Sequence, residues 1–196
     1  MKFETIFTNF IAYDEIELDN DAILNYCYDK KKEDEKGRVL SNIGGWQSND
    51  LYVKDTHDEN ILNLIDVICK NFESLGTRLD FNEPERIKID NYWININKQT
   101  NSNNPHDHPN SIFVAVYYVK VPINSGNIVL RTPVGKYDQY IKMNNIKQYN
   151  TFNSSTYRYI PKVRDLVIFP AWLYHYVEPN ETNEERISIA FNGSYR

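Results

Sequence analysis

The chain predicts a mostly β protein in which short strands close into a jelly-roll barrel flanked by helices. Three observations carry that expectation. From Arg86 onward apolar residues recur in short runs, several alternating with polar ones, as strands packed on a core require. The helical periodicities fall ahead of that stretch, so helices precede the strands rather than interleave with them. Aromatic residues are abundant, with 15 Tyr, 9 Phe and 3 Trp, which suits strands and pockets more than helices.

In chain order, residues 2–13 read as an opening strand through Phe3, Ile6, Phe7, Phe10 and Ile11. Asp19-Asn20-Asp21 then caps a short helix containing Ile23, Leu24 and Cys27. The run Lys30 to Gly37 mixes Lys with Glu and Asp, so it reads as a solvated helix end rather than a basic patch. Residues 41–52 form a Gly-Gly loop that carries an exposed Trp46. A second helix is predicted over Asp58–Leu75, with Ile61, Leu64, Ile65, Ile68 and Phe72 on one face and Gly76 as its stop.

Ile87, Ile89, Tyr92, Ile94 and Ile96 alternate, with a change of phase near Asp90-Asn91 that predicts a bulge. Trp93, Asn95 and Asn97 fall on the face opposite Ile94 and Ile96. Strands follow at residues 112–121, 128–130, 157–160, 165–169, 173–177 and 186–191, with a turn at Asn124-Ser125-Gly126-Asn127. Residues 134–155 are polar and tyrosine-rich, a hairpin or lid-like insertion. No repeat or linker is visible. Residues 1–196 therefore read as one domain, with a strand and flanking helices over 1–85 and a core barrel over 86–196.

The formal net charge of −5 argues against a general nucleic-acid binder, whose affinity would rest on Lys and Arg. Two cysteines, Cys27 and Cys69, both in predicted helices, read as free thiols in a reducing compartment. The first residues lack a signal-peptide layout and no apolar run reaches the length of a membrane span, so a cytoplasmic protein is expected. Oligomeric state stays open, a homodimer included.

Chemistry concentrates in few residues. Only four histidines occur, and two sit one residue apart in Asn104-Pro105-His106-Asp107-His108-Pro109. In an extended segment side chains at i and i+2 share a face, so His106 and His108 can converge while Asp107 points away. His175, arriving on a late strand, would complete a facial set of three ligands with open positions, the geometry of non-haem iron. His57 opens the second helix and reads as a surface or capping residue. Arg186 and Ser188 share a strand face. An arginine directed inward needs an anionic partner, which is either a protein carboxylate or the carboxylate of a ligand.

His106-x-His108, the distal His175 and Arg186-x-Ser188 resemble the motif set of iron(II)/2-oxoglutarate-dependent oxygenases. Residues 86–192, through Trp93-Ile94-Asn95-Ile96-Asn97, Tyr117-Tyr118-Val119 and Phe169-Pro170-Ala171-Trp172-Leu173-Tyr174-His175, are similar to a bacterial and phage subgroup related in fold to prolyl hydroxylases. If phage-encoded, the protein would work in the host cytoplasm. The resemblance implies a double-stranded β-helix of the cupin type, iron(II) as cofactor and 2-oxoglutarate as cosubstrate. It implies metal ligation by His106, His108 and His175, with His108 standing where the family pattern has Asp or Glu. The distal carboxylate of 2-oxoglutarate would meet Arg186, Ser188 and Tyr118, with Asn95 near the metal. Trp46 and Trp172 would line the substrate mouth. The implied reaction decarboxylates 2-oxoglutarate to succinate and carbon dioxide while dioxygen hydroxylates an unactivated C–H bond of a peptidyl or small polar substrate. Two alternatives stand beside it: a three-histidine cupin-like dioxygenase that does not use 2-oxoglutarate, and a non-catalytic metal- or ligand-binding module on the same fold.

Overall fold

A computed structural model describes residues 1–6, 8–134 and 142–196. The first helix, α1 (Asn20–Glu33), is capped by Asp19, whose side chain accepts from the Ala22 N–H. Asp21 in its first turn and Lys30, Lys31 and Lys32 in its last complement the helix dipole. The mixed charge run is thus a helix end, paired Lys30–Glu33 and Lys32–Asp29. The second helix, α2 (Glu59–Arg78), is capped by Asp58 and buries Ile61, Leu64, Ile65, Ile68 and Phe72. It runs through Gly76 instead of stopping there. A Cβ at Gly76 would meet Pro84 at 2.8 Å, so the glycine permits close approach rather than termination.

All eleven strands described pair antiparallel. They are β1 (Ala12–Glu15), β2 (Asn42–Ile43), β3 (Trp46–Gln47), β4 (Ile87–Asn97), β5 (Ser102–His106), β6 (Phe113–Lys120), β7 (Ile128–Arg131), β8 (Thr156–Tyr159), β9 (Asp165–Pro170), β10 (His175–Val177) and β11 (Arg186–Tyr195). One sheet has the order β1-β9-β6-β11-β4-β3, the other β2-β5-β10-β7-β8. These are the two sheets of a jelly roll.

The large sheet is buried on both faces, and alternation assigns each residue to a side. Ile94, Ile96, Ile187, Ile189 and Phe191 pack against Ile61, Ile68 and Phe72 of α2 and Ile23 of α1. Trp93, Val114, Val116, Tyr118 and Ala190 face the small sheet, against Ile128, Leu130 and Leu173. The β4–β11 register shifts between Asn192 and Gly193, opposite Asn91 and Ile89, so Asp90 is the extra residue of the expected bulge. Gly193 lies directly on the Phe72 ring, where a side chain would collide. Phe72 also packs on Phe113, ring centroids 5.6 Å apart. Phe72→Ala should therefore cost about 3–5 kcal/mol, seen as a lower urea midpoint with unchanged slope.

Two expectations need correction. Among the described residues the opening strand covers only Ala12–Glu15, which pairs with β9 from Ala12↔Ile168 to Glu15↔Asp165; Phe3 and Ile6 are exposed, and Phe7 lies outside the described residues. The loop at 41–52 contains the paired segments β2 and β3, and its Trp46 is not free: the indole N–H donates to the Asp34 carbonyl at 2.9 Å. Of the expected insertion at 134–155, residues 135–141 lie outside the described residues. Cys27 and Cys69 are free thiols, as expected. Among the described residues no helix is long and apolar enough to cross a membrane.

Candidate metal centre

The three histidines converge between the sheets. His175 on β10 is 4% exposed and lies directly across the ladder from His106 on β5, their ring centroids 4.4 Å apart. His108 lies beyond the end of β5, in a turn fixed by its backbone N–H donating to the Ala171 carbonyl at 3.0 Å. That turn folds its ring back, so that Nε2 lies 3.3 Å from His175 Nε2. One ring nitrogen from each histidine falls within 4.8 Å of the others. His57 is exposed and takes no part.

The remaining ring nitrogens set the tautomers. His106 Nδ1 is 2.6 Å from the Asn104 carbonyl and His175 Nδ1 is 2.9 Å from the Leu173 carbonyl. A proton on each Nδ1 donates to that oxygen, which leaves the Nε2 lone pair for a metal. Burial lowers the pKa of all three rings: His108 to about 4, helped by His106, and His175 well below the usual imidazole range. They are neutral at pH 7, the state a ligand needs. Three neutral nitrogen donors fit a divalent transition ion, iron(II) included. Asp107, the nearest acid in sequence, is exposed and outside the cluster.

Next to the triad a cavity is walled by the inner face of the large sheet. Tyr118 on β6, Ser188 on β11 and Asn95 on β4 stand in one cross-strand row. Asn95 Oδ1 is buried with no hydrogen-bond partner among the described residues. Arg186, 3% exposed, lines the same cavity. Its Nη1 donates to the Ser125 carbonyl at 2.7 Å and the Gly126 carbonyl at 3.3 Å. No ion pair among the described residues includes it. Gly126, at φ +92°, is needed here because a Cβ would meet Arg186 Nη1 at 2.8 Å. Burial lowers Arg186 to about 10, which still leaves it charged at neutral pH, and burial raises the Tyr118 hydroxyl.

The arrangement thus brings together His106, His108, His175, Arg186, Ser188, Tyr118 and Asn95 around one cavity. It does not bring Trp46 there. Trp46 pairs with Ile96 and packs on the helix side of the sheet, because alternation turns it away from Asn95. Trp172 is 54% exposed in the turn before His175 and does not line the cavity itself. Sequence reasoning missed Ser41 and Asn103, which also line the cavity, and Asn192, whose side chain raises the His108 pKa against the effect of burial. Asn192 was detectable, since it continues the alternating face of Arg186, Ser188 and Ala190.

Residues 91–192 match the family described as Putative 2OG-Fe(II) oxygenase. No curated protein matches the sequence. Solved structures with a similar fold include a prolyl-4-hydroxylase from Pseudomonas putida, at 14% identity and TM-score 0.67, covering 96% of this chain and 94% of that one. A Trichoplax adhaerens prolyl hydroxylase, in complex with a hypoxia inducible factor oxygen degradation domain peptide fragment, is similar at 13% identity and TM-score 0.61, over 93% and 82%. HygX from Streptomyces hygroscopicus, with nickel, 2-oxoglutarate and hygromycin B bound, is similar at 7% identity and TM-score 0.56, over 94% and 82%. The match across just over half of the 196 residues settles the family: the protein is a 2OG-Fe(II) oxygenase, an oxidoreductase that uses iron(II), 2-oxoglutarate and dioxygen.

Proposed function

We propose that the enzyme is a hydroxylase of a peptidyl or small polar substrate, with iron(II) held by His106, His108 and His175. Its 2-oxoglutarate is anchored through the distal carboxylate by Arg186 and Ser188. One observation carries the cosubstrate assignment. Arg186 is a buried cation beside the metal triad with no carboxylate partner among the described residues, and a desolvated guanidinium without an anion is costly. A planar fork accepts a carboxylate in two parallel bonds. Ser188, two residues along the same face, adds a hydroxyl donor, and Tyr118 stands in register with it to add a third. Asn95, in the same row, offers an unpaired acceptor.

Iron(II), when bound, supplies dioxygen activation coupled to decarboxylation of 2-oxoglutarate and hydroxylation of a C–H bond. The chain's own residues do the rest. The Nδ1–H bonds of His106 and His175 to backbone carbonyls fix two rings before any ligand arrives, so little ordering is left for the metal to impose. Arg186, from one wall, would hold the distal carboxylate of the cosubstrate and so orient it in the cavity. The apolar walls of Val114, Val116 and Ile128 exclude water from the space between the two. The substrate class rests on the solved structures of similar fold, which include a peptide complex and a hygromycin B complex. Trp172 is the exposed aromatic retained as a substrate contact. Since α1, α2 and both sheets share continuous cores, we treat residues 1–196 as one domain.

Three neutral ligands give the metal one negative charge fewer than a His-x-Asp site, which is what favours the second reading, a dioxygenase without 2-oxoglutarate. Anaerobic addition of iron(II) and 2-oxoglutarate separates the two. A weak visible absorption that requires both components is expected; iron binding indifferent to 2-oxoglutarate would support the alternative. At the second ligand, His108→Asp should keep iron and yield more succinate than His108→Ala. Full iron affinity and decarboxylation in His108→Ala would remove His108 from the ligand set.

A further inference from the structure

Among the described residues His108 differs from its two partners, His106 and His175, in having no backbone carbonyl to hold its second ring nitrogen. Side chains drawn from distant parts of the chain surround it instead, joined to one another by a series of contacts that runs from Trp93 to Asn192. Trp93 stacks on the imidazole, centroids 5.5 Å apart and planes 19° from parallel. The Arg38 guanidinium lies 5.9 Å over Trp93 and donates Nη2 to Asp50 Oδ1 at 2.7 Å. Asn91 donates Nδ2 to the same Asp50 oxygen at 2.7 Å. Asn192, directly across the ladder from Asn91, donates Nδ2 to Asn91 Oδ1 at 3.1 Å. Asn192 stands next on the same sheet face, two residues beyond Ala190, the cross-strand partner of Trp93, and its Oδ1 is buried with no hydrogen-bond partner among the described residues; its side chain raises the His108 pKa against the effect of burial.

We propose that Asn192, Asn91 and Asp50 form a relay that positions His108 for metal binding and stands in for the backbone carbonyls that hold His106 and His175. The proposal rests on His108 being a metal ligand. The direction of the bonds carries it. Each amide donates away from His108 and presents its oxygen towards it, so the two dipoles align with the Asp50 carboxylate at the far end. With His108 Nε2 turned to the triad, Nδ1–H is the donor left for Asn192 Oδ1. Aligned hydrogen bonds polarise one another, and a polarised acceptor on Nδ1–H raises the basicity of Nε2. The relay also places a carboxylate in line with the ligand that occupies the family's carboxylate position. Trp93 fixes the plane of the ring, and Arg38 ties Trp93 to Asp50. Asp50, Asn91 and Asn192 are positioning residues, since the relay reaches the metal only through His108. The bulge at Asp90 sits beside Asn91 and fixes the register that makes the relay possible.

The test uses the metal-free protein and cobalt(II) as the probe. Ring nitrogen shifts of labelled histidine should report a single Nδ1–H tautomer for His108 in the unmodified protein. Asn192→Ala should convert it to a mixture and weaken cobalt binding by about 10- to 100-fold. Asn192→Asp keeps an acceptor for Nδ1–H but loses the donor to Asn91, so it should preserve the tautomer. Asp50→Asn, at the partly exposed end of the relay, should shift both readouts in the same direction by less. Unchanged ring shifts and cobalt affinity in folded Asn192→Ala would overturn the relay. Should Asn192→Ala not fold, unchanged readouts in Asp50→Asn would do the same. His108→Ala run in parallel separates the two levels: cobalt lost there but kept in Asn192→Ala sinks the relay alone, whereas cobalt kept in His108→Ala sinks the ligand assignment beneath it.

Discussion

Replacing either His106 or His175 by alanine should abolish iron retention. The two rings face each other across the β5–β10 ladder, and each is locked by an Nδ1 bond to a backbone carbonyl. Removing one leaves two imidazoles and, among the described residues, no carboxylate in the cluster to take its place. If a four-ligand protein site is worth about 10–16 kcal/mol, each ligand supplies roughly 2.5–4 kcal/mol, a loss of about two to three orders of magnitude in affinity. Metal content after gel filtration and anaerobic iron(II) titration both measure this. One equivalent of iron retained by either variant would exclude that residue as a ligand. His57→Ala is the control, because the residue is exposed and outside the cluster, and it should change neither iron content nor turnover.

Much of this site was legible in the sequence because strand chemistry has a period of two. Arg186 and Ser188 share the cavity face, Trp93 and Asn95 share it on the paired strand, and Ile94 and Ile96 turn to the helices, all as alternation requires. The histidine pair was legible for a partly different reason. The expectation had His106 and His108 on one extended segment, but β5 ends at His106 and a turn brings His108 round. Strand β5 itself was hidden, since Ser102-Asn103-Asn104-Pro105-His106 contains no apolar residue to alternate. Trp46 was misplaced because a lone aromatic in a Gly-Gly loop carries no phase, and phase came only from its pairing with Ile96. The series of contacts around His108 could not be read at all. Its hydrogen bonds join residues 41 and 101 positions apart, and no local pattern encodes which distant amides will meet.

Arg186→Ala should raise the requirement for 2-oxoglutarate steeply while leaving iron affinity nearly intact. The argument starts from burial. Arg186 is 3% exposed, and its bonds to the Ser125 and Gly126 carbonyls use one end of the guanidinium, with no acid among the described residues to neutralise it. A dicarboxylate entering the cavity would supply that charge and replace the water it displaces with charge-assisted bonds. Removing one partner of such a buried pair costs on the order of 2–5 kcal/mol, a rise in the 2-oxoglutarate dissociation constant of about 30- to several thousand-fold. The proposed iron ligands come from the other sheet, from β5, the turn after it and β10, so the iron titration should scarcely move. Arg186→Lys should recover part of the loss, because it keeps the charge and gives up the planar fork. Pyruvate, which has the 2-oxo acid but no distal carboxylate, should be a poor substitute in the unmodified enzyme. The same comparison in Arg186→Ala is the more searching one: the preference for 2-oxoglutarate over pyruvate should collapse there, because the group that distinguishes the two acids is gone. A preference that survives the substitution would mean that the distal carboxylate is held elsewhere, and that Arg186 is tied to its turn carbonyls for structural reasons alone.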